Sequence, residues 1–201
     1  MRVKTARKRD ELLQAATAVF LEYGYEDASM EAISDRANCS KGTLYRYFAS
    51  KNELYFEVIA DMTATGTQPI FDEAENIREN FDEQLAAFGR AFLKAAYSPK
   101  FQAMRRLVFA PTRNHAISQA VYKRAVEPYL VRTTEFIRNA MAAGRLRADD
   151  PQVAVWHLCG LLESELLMKF LLHSLPLQSA SQIDAIAGRA IEAFLSAYRP
   201  H

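Results

Sequence analysis

Apolar residues recur at three- and four-residue steps along almost the whole chain, the spacing that lines one face of a helix. The first run, Leu12, Leu13, Ala16, Val19, Phe20 and Tyr23, predicts a helix from about Arg9 that stops at Gly24, a residue suited to the left-handed turn that closes a helix. Ser29 caps a short helix with Ile33 and Ala37 inward, and Asn38 tolerates the left-handed conformation at its end. Ser40 opens another short helix with Leu44 and Phe48 inward. Ser50 and Glu53 then form a capping box ahead of Leu54, Val58, Ile59 and Met62, in a helix expected to run to about Gly66. Thr67-Gln68-Pro69 interrupts the pattern, and Ile70 to Glu79 reads as a short acidic helix.

The second half continues in the same way. Asn80 caps a helix bearing Leu85, Phe88, Phe92 and Ala96 as far as Tyr97; Pro99 separates it from one carrying Phe101, Met104, Leu107 and Val108 and ending near Pro111. A long periodic segment from Ala116 to Ala143 is expected to bend at Pro128, where a backbone donor is missing, and to end at Gly144. Asp150-Pro151 is a helix start, with a carboxylate cap and proline at the first position. From Val153 to Leu172 the chain is apolar on nearly all faces. His157, Glu163, Glu165 and Lys169 argue against a membrane span there, because such groups are costly at a bilayer centre. A helix apolar all round is instead buried on several sides, and in a chain this small a second copy would supply one of them. Gly160 and Ser164 would let two copies approach closely, Glu165 and Lys169 would pair at i,i+4, and the last helix, Ile183 to Tyr198, would complete an antiparallel pair. The expected partner is therefore a second copy, joined in a four-helix contact through helices at about 151–173 and 181–198.

The expected fold is all-α: an N-terminal three-helix helix-turn-helix domain over residues 1–50, then a C-terminal helical domain over 51–201 that carries the dimer contact. Composition fits, with 50% hydrophobic residues and only seven Gly and seven Pro among 201. Charge narrows the function. A net formal charge of +1 argues against a generally basic coat, so nucleic-acid binding must come from a local patch. Five cations (Arg2, Lys4, Arg7, Lys8, Arg9) crowd the first nine residues, which read either as a mobile arm adding DNA contacts or as a solvated terminus. Asp10 and Glu11 follow where a secretory signal would need an apolar core, so a cytoplasmic protein is expected. Cys39 and Cys159 offer neither a disulfide framework nor a metal spacing. The four histidines fall in no HExxH pattern and no GxSxG, P-loop or GxGxxG occurs, so no enzyme, metal or cofactor is expected.

The short helix opened at Ser40 is about 10 Å long, too small to make a core but able to enter a major groove about 12 Å wide. Its outward residues are two cations, a small hydroxyl and two phenols, which suit phosphates and base edges better than catalysis. Ser29-Met30-Glu31-Ala32-Ile33-Ser34-Asp35-Arg36-Ala37, the run Ser40 to Phe48, and Lys51 followed by Leu54 together resemble the DNA-binding domain of TetR/AcrR-family transcription regulators over roughly residues 8–60. Asn38-Cys39 stands where that family usually has Gly-Val. Residues 81–198 resemble AefR-like C-terminal domains of the same family, through Phe81-Asp82-Glu83, Arg105-Arg106-Leu107-Val108 and Asp150-Pro151.

The expected DNA-binding residues are Ser29, Ser40, Lys41, Gly42, Thr43, Tyr45, Arg46, Tyr47 and Lys51. Ser29, Lys41, Tyr47 and Lys51 are assigned to phosphates, the last aided by the helix N-terminus it sits on. Thr43, Tyr45 and Arg46 are assigned to base edges, with Gly42 permitting close approach; packing against the first helix is the alternative for Tyr45 and Tyr47. One such helix reads too few bases to find a site, so a dimer presenting two of them about 34–36 Å apart on a palindromic operator is expected. The resemblance implies repression as the usual mode, relieved by a small molecule bound in the larger domain. An apolar or amphipathic effector is expected, lined by Phe88, Phe92, Met104, Phe109, Tyr122 and Trp156, with Arg105, His157 and Glu163 as polar anchors. A constitutive DNA-binding regulator without ligand control is the alternative.

Overall fold

A computed structural model of the chain describes residues 5–109 and 115–200. The helix end expected near Pro111 and the first four residues of the cationic arm lie outside them. Among the described residues the chain is α-helical throughout, with no strand. The order is α1 (Ala6–Asp27), α2 (Met30–Arg36), α3 (Lys41–Tyr47), α4 (Lys51–Asp72), α5 (Phe81–Ala96), α6 (Pro99–Phe109), α7 (His115–Val121), a π-helical stretch at Tyr122–Val126, α8 (Glu127–Ala142), α9 (Pro151–Glu163), α10 (Leu167–Leu171) and α11 (Ala180–Tyr198).

Local chemistry explains most of these boundaries. Thr5 caps α1 through the Lys8 N–H, so the helix begins three residues earlier than its apolar face suggests. Gly24 leaves helical geometry at φ +74°, and a last turn continues to Asp27. At the end of α2, Asn38 takes φ +49°; its N–H donates to the Asp35 carbonyl and the Cys39 N–H to that of Ser34, the paired bonds of a Schellman closure. Gly144 at φ +68° closes α8 likewise, through Gly144 to Met141 and Arg145 to Ala140. Asp150 accepts from the N–H groups of Gln152 and Val153 as expected. The interruption expected at Pro128 is the π-helical stretch just before it.

Three expectations are corrected. Pro69 does not end the helix before it: α4 continues to Asp72, because Ile70 and Phe71 are buried and hold its last turn. No helix covers residues 73–79. There the buried Gln84 amide donates to the carbonyls of Glu73 (2.8 Å) and Asn76 (2.6 Å) and accepts from the Arg78 N–H (2.9 Å), supplying partners that helical bonds would otherwise provide. The apolar segment after Val153 is not one helix. It breaks at 164–166, and Glu165 pairs not with Lys169 but with Arg189 of α11, in a two-point contact at 2.9 and 2.8 Å.

The chain forms two compact units, Met1–Thr65 with Pro99–Val126 and Gly66–Ser98 with Glu127–His201. The division does not coincide with a boundary after residue 50, because the apolar side chains of early α4, α6 and α7 share one core with α1–α3: Leu54, Val58, Met104, Leu107 and Ile117 bury with Leu12, Phe20, Ile33 and Leu44. In the second unit α5, α8, α9 and α11 surround Phe88, stacked on Phe136 at 5.6 Å, with Leu158, Leu162 and Phe194. The ties His157–Tyr198 and Glu165–Arg189 show that α9 and α11 run antiparallel. Gly89 marks the tightest approach of α5: a Cβ there would lie 3.0 Å from Leu162 Cδ2 and 3.3 Å from Ile191 Cδ1. Gly89→Val is therefore expected to destabilise the protein by roughly 1–3 kcal/mol through overpacking. Thermal denaturation checks this; an unchanged melting temperature would mean that the three helices separate freely.

Candidate nucleic-acid interface

Leu44 and Phe48, fully buried, fasten the seven-residue α3 to its unit. Its start is fixed by Ser40, whose Oγ accepts the Thr43 N–H at 3.1 Å and lies 3.0 Å from Thr43 Oγ1. Ser29 plays the same part for α2, accepting the Ala32 N–H at 3.0 Å. Lys41, Gly42, Tyr45 and Arg46 are exposed, while Thr43 and Tyr47 are half-buried. The helix thus presents one outward face of ammonium, phenol and guanidinium groups, with no catalytic pairing among them.

The two tyrosines behave differently. Tyr45 stands free of α1 and is about half exposed (49%). Tyr47 reaches the start of α1, its hydroxyl accepting the Thr5 N–H at 3.0 Å, and the Arg46 guanidinium lies 5.7 Å over its ring. Of the two, Tyr47 is thus the one seen against the start of the first helix. Beside α3 lies an open cleft of about 540 Å³ lined by Thr5, Arg7, Lys8, Glu11, Asn38, Cys39, Ser40, Thr43, Arg46 and Tyr47. Arg7 and Lys8 belong to the arm for which DNA contacts were one of two readings, whereas Glu11 was not a candidate; nothing in their i,i+3 and i,i+4 spacing places them next to α3.

Lys51, expected at a phosphate, is bonded to backbone in this structure. Its ammonium donates to the carbonyls of Tyr25 (2.8 Å), Ala28 (3.0 Å) and Glu26 (3.1 Å) and lies 4.5 Å from the centre of the Tyr25 ring. An ammonium has three N–H donors, and here all three satisfy backbone at the carboxyl end of α1. Tyr25 also donates its hydroxyl to Asn52 Oδ1, and Arg9 pairs with Glu57, so α1 and α4 are joined at several points. The Ser50–Glu53 cap is present in altered form: Ser50 accepts the Glu53 N–H at 3.1 Å, while the Glu53 carboxylate accepts from Ala49 at 2.7 Å.

The helix-turn-helix region, residues 12–58, matches the model of bacterial regulatory proteins of the tetR family, and residues 83–200 match the C-terminal domain of AefR-like transcriptional repressors. The chain belongs to the TetR family. It is similar over 98% of its length to a flavonoid-responsive regulator, FrrA (28% identity, 100% of that chain, TM-score 0.81). A TetR family regulator from Pseudomonas syringae pv. tomato is similar to the same extent (27% identity, 98% of this chain, 100% of that one, TM-score 0.77). The transcriptional activator FasR of Mycolicibacterium smegmatis is 36% identical over 90 residues, which are 43% of this chain and only 41% of that relative. The helix-turn-helix that contains α3 is thus part of a DNA-binding transcriptional regulator.

The nine candidate ligand residues are divided between the two units of this TetR-family chain. In the first, Met104 is core, Arg105 is buried with its guanidinium 5.6 Å from the centre of the Phe109 ring, and Phe109 and Tyr122 are more than half exposed. In the second, Phe88 is wholly in the core, Phe92 is buried near Tyr129, and Trp156 is 56% exposed on the outward side of α9. His157 Nδ1 lies 2.6 Å from the Tyr198 hydroxyl, and Glu163 accepts from the Tyr97 hydroxyl at 3.1 Å. Two half-buried residues lie near Glu163: Tyr129, which was not among the sequence candidates, and Cys159. Burial holds the Tyr129 hydroxyl well above the usual phenol range and pushes the Cys159 thiol up to about 11. The Tyr129 hydroxyl has no hydrogen-bond partner of good geometry.

The Lys51 geometry generates a prediction. Lys51→Met should lower stability by roughly 1–3 kcal/mol, since it leaves carbonyls at the end of α1 without donors, while the salt dependence of DNA binding stays as in the wild type. A flattened salt dependence with an unchanged melting temperature would instead return Lys51 to the phosphate contacts.

Proposed function

We propose that this TetR-family regulator is a dimeric repressor whose paired α3 helices read a palindromic operator, and that a small amphipathic ligand held in the Gly66–Ser98/Glu127–His201 unit releases it. The observation that carries the DNA-reading part is the outward face of α3, where Lys41, Tyr45 and Arg46 are exposed on a helix pinned from behind by Leu44 and Phe48. Thr43, Tyr45 and Arg46 remain the candidates for base edges, and Lys41 and Tyr47 for phosphates.

Dimerisation through α9 to α11 is supported by what a single chain leaves uncovered there. Trp156, Gly160 and Ser164 recur at four-residue steps on the exposed side of α9, and Met168, Leu171 and Leu172 are exposed in and beyond α10. Gly160 is open, with nothing within 4 Å of the position its Cβ would take.

The ligand part of the reading rests on the interior of the second unit. The Tyr129 hydroxyl, which makes no well-formed hydrogen bond although Thr133 and Cys159 lie beside it, the Cys159 thiol and the Tyr97–Glu163 pair lie among Phe71, Phe92 and Phe170. A buried polar group without a partner is costly, and a ligand carrying hydrogen-bonding groups on an aromatic body would supply what Tyr129 lacks. The flavonoid response stated for FrrA, similar over nearly the whole chain, suggests planar phenolic compounds as the first class to try.

Two measurements test this. Operator selection from random DNA should return inverted repeats, and members of a flavonoid panel should abolish the selected complex; selection of unsymmetrical sites would remove the palindrome, and indifference to every compound would favour a constitutive regulator. Gly160→Leu should leave each subunit folded by circular dichroism yet give monomers by sedimentation, because the leucine has room within one chain but not against a second helix. A stable dimer of that variant would place the interface elsewhere.

A further inference from the structure

Arg7, Lys8, Lys41 and Lys51, beside α3, hold acidic or carbonyl partners. Arg7 Nε lies 3.3 Å and Lys8 Nζ 3.0 Å from the two oxygens of Glu11. Lys41 Nζ, on the first turn of α3, lies 2.8 Å from Glu31 Oε1, on the first turn of α2. Lys51 is taken up by the carbonyls of α1. Arg46 has no carboxylate partner among the described residues and rests over Tyr47.

Helix stability alone can account for exposed pairs of this kind. Glu11 pairs with Arg7 and Lys8 at helical spacing, and Glu31 sits where the α2 dipole favours an anion. Their location adds something else. Glu11 lines the same cleft as Ser40, Thr43, Arg46 and Tyr47, and Glu31 neutralises the first outward cation of the reading helix. A phosphate approaching Lys8 or Lys41 must displace a carboxylate or lie beside its charge. Affinity for any duplex rises with the number of phosphates that cations neutralise and the counterions they release, and a cation already paired within the protein adds less to that number.

We propose that Glu11 and Glu31 are intramolecular stand-ins for DNA phosphates, which hold down affinity for DNA of any sequence so that base contacts from α3 decide where the protein stays. The two carboxylates restrain Arg7, Lys8 and Lys41 until a strand backbone takes their place. The inference rests on the DNA-binding role of the family and adds two acidic residues that set how tightly, and how selectively, that role is performed.

The test uses the full-length protein with labelled duplexes, one of random sequence and one carrying the selected operator, over a range of salt. Glu11→Gln/Glu31→Gln keeps the side-chain shape and removes both charges. Affinity for random duplex at low salt should rise roughly five- to tenfold, with the slope of log affinity against log salt steeper by about 0.9 for each phosphate newly engaged. The ratio of operator to random binding should fall. Adding Lys8→Gln and Lys41→Gln to the same protein should reverse the gain. A lower melting temperature with unchanged affinity and slope would show that the carboxylates serve helix stability alone and overturn the proposal, as would weaker binding by the Gln variant. Wild-type protein that binds neither duplex at low salt would remove the DNA-binding reading itself, whereas binding wild type with indifferent variants removes only the restraint.

Discussion

A helix of seven residues cannot hold itself together in water, because nucleation fixes several residues before hydrogen bonds repay the lost freedom. That constraint governs the N-terminal unit. The proposed reading helix, α3, leaves one face bare, so everything that stabilises it comes from its other side and its ends: Leu44 and Phe48 in the core, Ser40 at the start, and the Asn38 closure that aims the chain into it. The remaining helices of the unit form a mount for a part that is unstable alone.

The mount is stiffened where a bundle of short helices is weakest, at its exposed backbone ends. Lys51 spends its three donors on carbonyls at the end of α1, beside a Tyr25 ring that also packs edge-on against Tyr55 at 4.9 Å. Tyr55 lies so far out of water that its hydroxyl is pushed up to about 12, keeping it a neutral donor, and it reaches the Leu107 carbonyl of α6 at 3.5 Å. A basic residue that would look like a phosphate ligand on an isolated α4 is thus used to bind α1 to it. The division of the chain follows the same logic: α6 and α7 join the reading unit because Met104, Leu107, Ile117 and Val121 finish its core.

Features encoded within a few residues were legible before the structure. Ser29, Ser40, Asn80 and Asp150 cap the helices they were expected to cap, and Asn38 and Gly144 take the left-handed turns their side chains allow. What escaped depends on partners far along the chain. Pro69 reads as a breaker until Ile70 and Phe71 find a core, and Glu165 reads as the partner of Lys169 until the fold brings Arg189 nearer. Gln84 illustrates the limit most clearly, since its spacing says only that it lies on a helix, yet its amide shapes the whole connection before that helix. The outward positions on α3 follow from the same local spacing as the caps, whereas the backbone acceptors of Lys51 lie more than twenty residues away and leave no local trace.

Charge provides the last step. With a net formal charge of only +1, the protein has little long-range attraction for a polyanion. Near α3, Arg7, Lys8, Lys41 and Lys51 are balanced by Glu11, Glu31 or backbone carbonyls. A regulator built this way gives up tight general adhesion to DNA, and what distinguishes one site from another must come from short-range groups. Among the described residues, Arg46 is left outward without a carboxylate to hold it, beside the exposed phenol of Tyr45. The weak overall charge and the bare face of α3 are therefore two aspects of one design, in which recognition depends on close fit and ordinary attraction is held in check.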